Sequence, residues 1–331
     1  MIRACNHSSF CKVGDHPLDQ QVRRAANRRR RGAATDADVQ VAIDEMTTLV
    51  VALQGRAFIE IVTDGMIGWC GPLSHLVRGL DGLRTAELYR WFDTNFHERR
   101  LQVIGEISRR EPFLVHDFEV AKFVAVDQLV KVGVPGPVTA ARMARDEHYG
   151  GIEPLADALA SVLAEEVAAL VEAGARCFQV DEPLLCRHPE DLELVARTSG
   201  RIFEAAGADA TTVLSTYYGD LAALADRLGE LPGTHIGLDM VSGDGNYDLL
   251  SKLPDGRGVA LGLFDARTSR QEDADDVAGR LEPHRETLCG RDVLVGPNAG
   301  LELLPQDQGF DKLLHARYVV EKLSQEWTWD S

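Results

Sequence analysis

The chain is predicted to fold as an α/β protein, a (β/α)8 barrel with an amino-terminal extension and one β-hairpin inserted over its mouth. Three observations predict it. Short apolar runs recur along the 331 residues, and eight of them alternate with helix-length segments, the rhythm of parallel strands joined by right-handed crossovers. Nearly every run stops on a residue able to do chemistry: Ser8-Ser9, Asp64, His116-Asp117, Asp181-Glu182, Tyr217-Tyr218, Asp239, Asp265 and Asn298. In a closed parallel barrel all these ends share one face, where active sites sit. No low-complexity linker or fixed-period repeat divides the pattern, so residues 1–331 are read as one domain.

The elements follow in order. Residues 2–6 read as a first strand and 18–31 as a helix. Its run Arg28, Arg29, Arg30, Arg31 suits the negative pole at a helix C-terminus and is read as a solvated end, not a nucleic-acid patch. Gly32 marks a stop, and Thr35 and Asp36 cap a second helix reaching Gln54. Residues 58–64 form a strand closed by Gly65. Residues 101–107 and 113–118 flank Arg109-Arg110-Glu111-Pro112 and are expected to pair as the hairpin. Residues 130–134 are a strand leading into Pro135-Gly-Pro-Val-Thr139. Leu155, Leu159, Leu163, Val167 and Leu170 then make one apolar helical stripe, with Glu165, Glu166 and Glu172 off it and Gly174 ending it. Strands at 176–180, 211–216, 235–238, 259–264 and 292–295 alternate with helical segments at 191–206, 221–228, 273–288 and 310–324.

Composition narrows the function. Hydrophobic residues make up 45% and charged residues 26%, ordinary for a globular enzyme. With 52 acidic against 35 basic residues the net charge is −17, which repels nucleic acid and anionic membranes. A small-molecule substrate is expected. Six cysteines without CxxC spacing argue against a disulfide framework, and Met1-Ile-Arg-Ala-Cys-Asn lacks the apolar core of a secretion signal; a cytoplasmic protein is expected.

A set of strings in order carries a resemblance: Ser8-Ser9-Phe10, Thr63-Asp64-Gly65, Gly136-Pro-Val-Thr139, Gln179-Val-Asp-Glu-Pro183, Ser215-Thr-Tyr-Tyr-Gly-Asp220, Gly237-Leu-Asp239 and Gly262-Leu-Phe-Asp265. From about residue 4 to 324 the chain resembles a single-barrel member of the cobalamin-independent methionine synthase family, within the uroporphyrinogen decarboxylase/methionine synthase superfamily. The resemblance implies methyl transfer from a methyl-folate co-substrate to the thiol of homocysteine. It also implies a zinc ion, held by His, two Cys and Glu, that makes the thiolate. At the matching places this chain has Ser215, Tyr217, Asp239 and Ala299, a set without the soft ligands of a closed zinc site. A family acid is replaced by Met66 and a family histidine by Arg267. In these strings the chain is more similar to the amino-terminal barrel of the full-length synthase, a duplicate without the zinc chemistry.

The expected site is therefore a methionine-synthase-like transferase site without the family zinc. The resemblance assigns Asp181 to orient an amino group. Ser8 and Ser9 are to hold a carboxylate, with Glu182, Asp64, Asp265, Arg267 and Asn298 as further binding residues. Tyr217 or Asp239 is to handle protons. Strand alternation allows only one of Tyr217 and Tyr218 to enter the barrel. A relocated metal would look first to His7, Cys11 and His116, with His16 nearby in sequence. Two alternatives stand beside this reading: a metal-independent lyase or decarboxylase of the same superfamily, and a non-catalytic barrel serving a separate catalytic subunit. The expected macromolecular partners are further copies of the chain, in a homo-oligomer, or that separate catalytic subunit.

Overall fold

A computed structural model describes residues 1–12, 20–69 and 71–329. His16 and Leu18 of the sequence expectations lie outside them. Among the described residues, eight parallel strands form the barrel in the order β1 (Ile2–Ala4), β11 (Val293–Pro297), β10 (Gly258–Phe264), β9 (His235–Asp239), β8 (Thr211–Ser215), β7 (Cys177–Asp181), β5 (Leu129–Pro135) and β2 (Ile61–Val62). The ring closes where Cys5 bridges Ile61, with the Asn6 N–H donating to the Ile61 carbonyl at 3.0 Å. All eight expected strands are present, as the near-continuous apolar runs of a sheet covered on its outer face predict. The helix Asp36–Arg56 begins at Thr35 with a reciprocal capping box to Asp38. The additional amino-terminal segment takes the form of an extra helix, Gln21–Arg30, inside the first β/α unit. Among the described residues, no helix is long and apolar enough to cross a membrane.

Strand parity sorts side chains into layers. Cys5, Ile61, Cys177, Val213 and Leu294 pack together as an apolar plug inside the barrel. Two residues further along their strands stand polar groups, Lys131, Gln179 and Ser215 with His7, around a space of only about 20 Å³. Two residues further again Asp181 faces the mouth. Register staggers these levels from strand to strand: Lys131 pairs with Cys177, Pro135 with Asp181 and Asp181 with Ser215. Gly136 is required at the adjoining turn, where a Cβ would stand 2.3 Å from the Asp181 carbonyl oxygen.

The hairpin exists, and the expected strand 101–107 lies within one of its arms, but its partner precedes it in the chain and is not 113–118. Its strands are β3 (Leu80–Arg90) and β4 (His97–Arg109), antiparallel, extended by β6 (Arg145–Asp146). The polar sequence of β3 hides a strand whose outer side faces solvent. A bulge between Asp81 and Leu83 rests on Gly82, whose φ is +78°. The run at 113–118 is not a strand. It turns into the helix Val115–Val124 because Leu114, Phe118 and Ala121 fall on one buried face. His116 and Asp117 therefore sit in the first turn of a helix. The segment at 221–228 forms only short 3₁₀ turns, and 273–288 breaks into Ala274–Leu281 and Arg285–Cys289.

Glu166 corrects a second expectation. The stripe from Leu155 to Leu170 is buried, and Glu166 is buried with it. Its carboxylate accepts from Arg109 Nε at 2.6 Å and from the N–H groups of Phe113 and Leu114 at 2.8 and 2.7 Å. This one acid ties the base of the hairpin to the barrel's outer helix. Glu166→Ala strands the Arg109 charge and two N–H groups, and is expected to cost roughly 3 kcal/mol or more in urea unfolding.

Candidate functional site

Above the polar layer lies a cavity of about 240 Å³. Its floor and walls include Ser8 and Ser9 after β1, Asp181 at the end of β7, Tyr217 and Tyr218 after β8, and Glu302 after β11. The hairpin tip covers it with Trp91 and Phe96, and Trp69 closes one side. The tip is held down by Arg267, which pairs with Asp93 at 3.6 Å, and by Phe92, whose ring lies 5.2 Å from that of Tyr218.

Asp181 is held from below. Lys131, fully buried, donates to Gln179 Oε1 at 2.6 Å, and Gln179 Nε2 donates to Asp181 Oδ1 at 2.8 Å. Burial pushes the Asp181 carboxyl up to about 7, against the pull of the Gln179 hydrogen bond and the Lys131 charge. His7 lies between Ser8 Oγ at 2.8 Å and Ser215 Oγ at 3.0 Å, with its ring edge-on to Tyr217 at 5.2 Å. Burial, and then the Lys131 charge, hold its imidazole well below the ordinary range. His7 is thus a neutral strut beneath the floor.

Both tyrosines line the cavity, against the expectation that only one could enter. The alternation rule ends with the strand at Ser215. Tyr218 takes a left-handed φ of +62°, a costly conformation for a bulky residue. Asp239 compensates it, because its carboxylate accepts from the Tyr218 N–H at 2.8 Å. The same carboxylate accepts from the N–H groups of Val241 and Ser242 and from Asn298 Nδ2 at 3.0 and 3.1 Å. Asn298 Oδ1 accepts in turn from the Ala266 N–H at 3.0 Å. Asp239 and Asn298 are fully buried and fully engaged, and they line the 240 Å³ cavity nowhere.

The other sequence candidates are dispersed. Glu182 turns away from the cavity and accepts from the N–H groups of Val138 and Thr139 at 2.9 and 2.8 Å, at the start of the helix Pro137–Met143. Burial nevertheless raises its carboxyl to about 7. Asp64 lines a separate crevice behind Trp69, and its carboxyl is raised by burial. Asp265 and Arg267 pair at the rim at 3.4 Å, with the guanidinium 5.4 Å above the Tyr218 ring. Cys11 donates to the Leu301 carbonyl at 3.0 Å, and His116 is bonded to Asp44 at 2.9 Å. Among the described residues, no three His, Cys, Asp or Glu side chains come together to hold a metal. The positions matching the family zinc ligands do not fit that ion: Ser215 is spent on His7, Asp239 on five hydrogen bonds, and Ala299 offers no donor atom.

Sequence reasoning missed Lys12, Trp69, Trp91, Phe96, Lys131 and Glu302. A signal existed for two of them. Lys131 interrupts an otherwise apolar strand, and Glu302 follows Asn298-Ala-Gly-Leu at the end of the last one. Glu302 accepts a hydrogen bond from Ser9 Oγ.

The fold and the cavity define a (β/α)8 barrel with a small, mostly apolar pocket at its mouth. The family profile described as "Cobalamin-independent synthase, N-terminal domain" matches residues 72–288. The chain belongs to the cobalamin-independent synthase family, and with it to a group of methyltransferase enzymes. It is 28% identical to a methionine synthase of Sulfurisphaera tokodaii over 92% of this chain and 88% of that protein. It is 25% identical to a methionine synthase of Thermococcus kodakarensis over 95% and 93%. Among solved structures, a B12-independent methionine synthase from Shewanella sp. W3-18-1 in complex with selenomethionine superposes with a TM-score of 0.83 at 20% identity, over 98% of both chains. A putative vitamin-B12-independent methionine synthase from Listeria monocytogenes gives 0.76 at 16% identity, over 98% of this chain and 97% of that one.

The raised Asp181 carboxyl fixes the sign of a stability effect. The folded state keeps the proton to a higher pH than the unfolded chain, so folding loses stability as pH rises from about 4 towards 7. Asp181→Asn carries no such penalty. By calorimetry the variant is expected to melt roughly 2–5 °C above the parent at pH 8, with the gap closing as pH falls towards 4.

Proposed function

We propose that the chain transfers a methyl group to the thiol of a small amino acid inside the 240 Å³ cavity, as one barrel domain and without the family's zinc. The observation that carries the reading is Asp181: a buried carboxyl, half ionised near pH 7, facing a cavity of amino-acid size. A base poised near neutrality suits removal of a thiol proton, which must leave before sulfur attacks. Ser8, with Lys12, the one cation lining the cavity among the described residues, suits a substrate carboxylate. Glu302 suits an ammonium group. Tyr217 offers an O–H whose proton is held tightly, because burial and then the Asp181 charge raise its pKa. Asp239 and Asn298 serve by holding the turn that presents both tyrosines. The methionine synthase relatives support this reading, since the alignments cover nearly their whole length.

Two measurements test it. With homocysteine as acceptor, Asp181→Asn is expected to lower kcat by about 10²–10⁴-fold while circular dichroism stays that of the parent. Unchanged turnover removes Asp181 from the chemistry. The metal-analysed protein is expected to be active without stoichiometric zinc, and one essential zinc per chain sinks the zinc-free reading.

A related expectation concerns Lys131. Its charge favours the ionised form of Asp181, so Lys131→Met is expected to move the acid limb of the pH–rate profile to higher pH. A purely structural Lys131 would lower the rate at every pH alike.

A further inference from the structure

We infer that Glu98 is a positioning residue for the cavity: its carboxylate joins the side wall at 71–79 to the hairpin cover, so that wall and cover form one unit over the barrel mouth. The choice of ligand in the test below rests on the methyl-transfer reading above; the joint itself does not.

The geometry is that of one acid shared by two elements. Glu98 lies at the start of β4 and is only 1% exposed. It accepts from the N–H groups of Leu73 and Ser74 at 2.5 and 2.7 Å, and from the Ser74 hydroxyl. Its other oxygen accepts from Tyr89 Oη at 3.0 Å, and Tyr89 is the residue paired with it across the hairpin. Burial raises the Glu98 carboxyl, and these hydrogen bonds pull it back. A carboxylate taken out of water in this way is stable only while its donors stay in place, so it fixes both segments that supply them.

Both joined parts touch the cavity. Pro72 and Leu73 line it from the wall, and Trp91 and Phe96 from the cover. The wall reaches one residue further through His75, in the 3₁₀ turn Ser74–Arg78. The His75 ring stacks on that of Trp69, with centroids 4.4 Å apart and planes at 2°. Both of its ring nitrogens are buried without a hydrogen-bond partner. Burial holds the imidazole well below its ordinary range, so the ring is neutral and serves as a flat face behind Trp69. Ser74 directly precedes His75, so Glu98 sets the backbone from which that face stands. The wall is tied to the hairpin at its other end as well. Arg110, directly after β4, donates through its guanidinium to the Val77 and Arg78 carbonyls at 3.0 and 2.6 Å, and through its N–H to the Gly79 carbonyl at 3.0 Å. A segment fastened at both ends to one hairpin belongs to the hairpin's body. Glu166 anchors that body to the barrel at its base, and Glu98 holds its two parts together above.

The test is hydrogen exchange followed by mass spectrometry on the purified full chain. In Glu98→Ala, peptides from 71–79 and from 89–97 are expected to lose protection together, by roughly tenfold or more, while peptides from 129–135 in the barrel keep theirs. Glu98→Gln is expected to stay near the parent, because its amide oxygen still accepts the two N–H groups and its amide nitrogen donates to Tyr89 Oη. Tyr89→Phe, which deletes only the contact across the hairpin, is expected to fall between the two, and it carries the test if Glu98→Ala does not fold. Homocysteine binding by calorimetry is the second readout, expected to weaken about tenfold or more in Glu98→Ala and to stay within about threefold of the parent in Glu98→Gln. Joint loosening with weakened binding supports the inference. Loosening of one segment alone, loosening of the whole chain, or joint loosening with unchanged binding overturns it. A parent that binds no homocysteine sinks the methyl-transfer reading instead, and the exchange pattern then decides the joint by itself.

Discussion

A charge sealed inside a protein must find compensation within a few ångströms, and the centre of this barrel is organised by that constraint. Lys131 is fully buried in the middle of β5, with its ammonium on Gln179. The amide of Gln179 passes the polarity along: its oxygen faces the lysine and its nitrogen faces Asp181. Remove the ammonium, and Asp181 loses one of the influences that favour its ionised form, so it keeps its proton to a higher pH. Remove Asp181, and Lys131 keeps only a neutral amide for company. Burial outweighs the help that Gln179 and Lys131 give, and a carboxyl left near 7 is the result.

Two strand-end aspartates show how environment divides one residue type into two roles. Asp181 receives side-chain hydrogen bonds from Gln179 and Ser215 and faces open space. Asp239 receives three backbone N–H groups and both contacts of the Asn298 amide, and faces none. The first can exchange a proton with a ligand. The second cannot, but it sets the backbone after β8 in a conformation tyrosine would not otherwise adopt. Glu182 is a third case, spent on the N-terminus of a helix.

These distinctions explain what the sequence could and could not disclose. The eight strands were legible because a parallel sheet covered by helices needs unbroken apolar runs, and such runs are conspicuous. Ser8, Ser9, Asp181 and Tyr217 were legible because strand ends converge on one mouth. Asp239 and Asn298 looked equally chemical, since the alphabet does not say whether a carboxylate's oxygens are already taken. The second tyrosine was lost to a periodicity argument that stops at the last paired residue. Trp91 and Phe96 were lost with the hairpin, whose strand Leu80–Arg90 shows solvent-facing charge where a core pattern was sought. Glu166 was misplaced because a single acid on a helix's apolar flank reads as exposed until its partners from a distant loop are known.

The hairpin also gives the site its character. A bare barrel mouth would present Asp181 and Glu302 to water, where two acids bind little. Trp91 and Phe96 replace that water with ring faces, and Asp93 and Phe92 fasten them to Arg267 and Tyr218 on the barrel. Excluding water strengthens every remaining electrostatic contact in the cavity. The same exclusion raises the Asp181 carboxyl towards neutrality. One structural act, laying aromatic side chains over a ring of strand ends, therefore buries Asp181 and shapes the cavity together. The anchor at Glu166, at the far end of the hairpin, holds in place the element that covers the cavity.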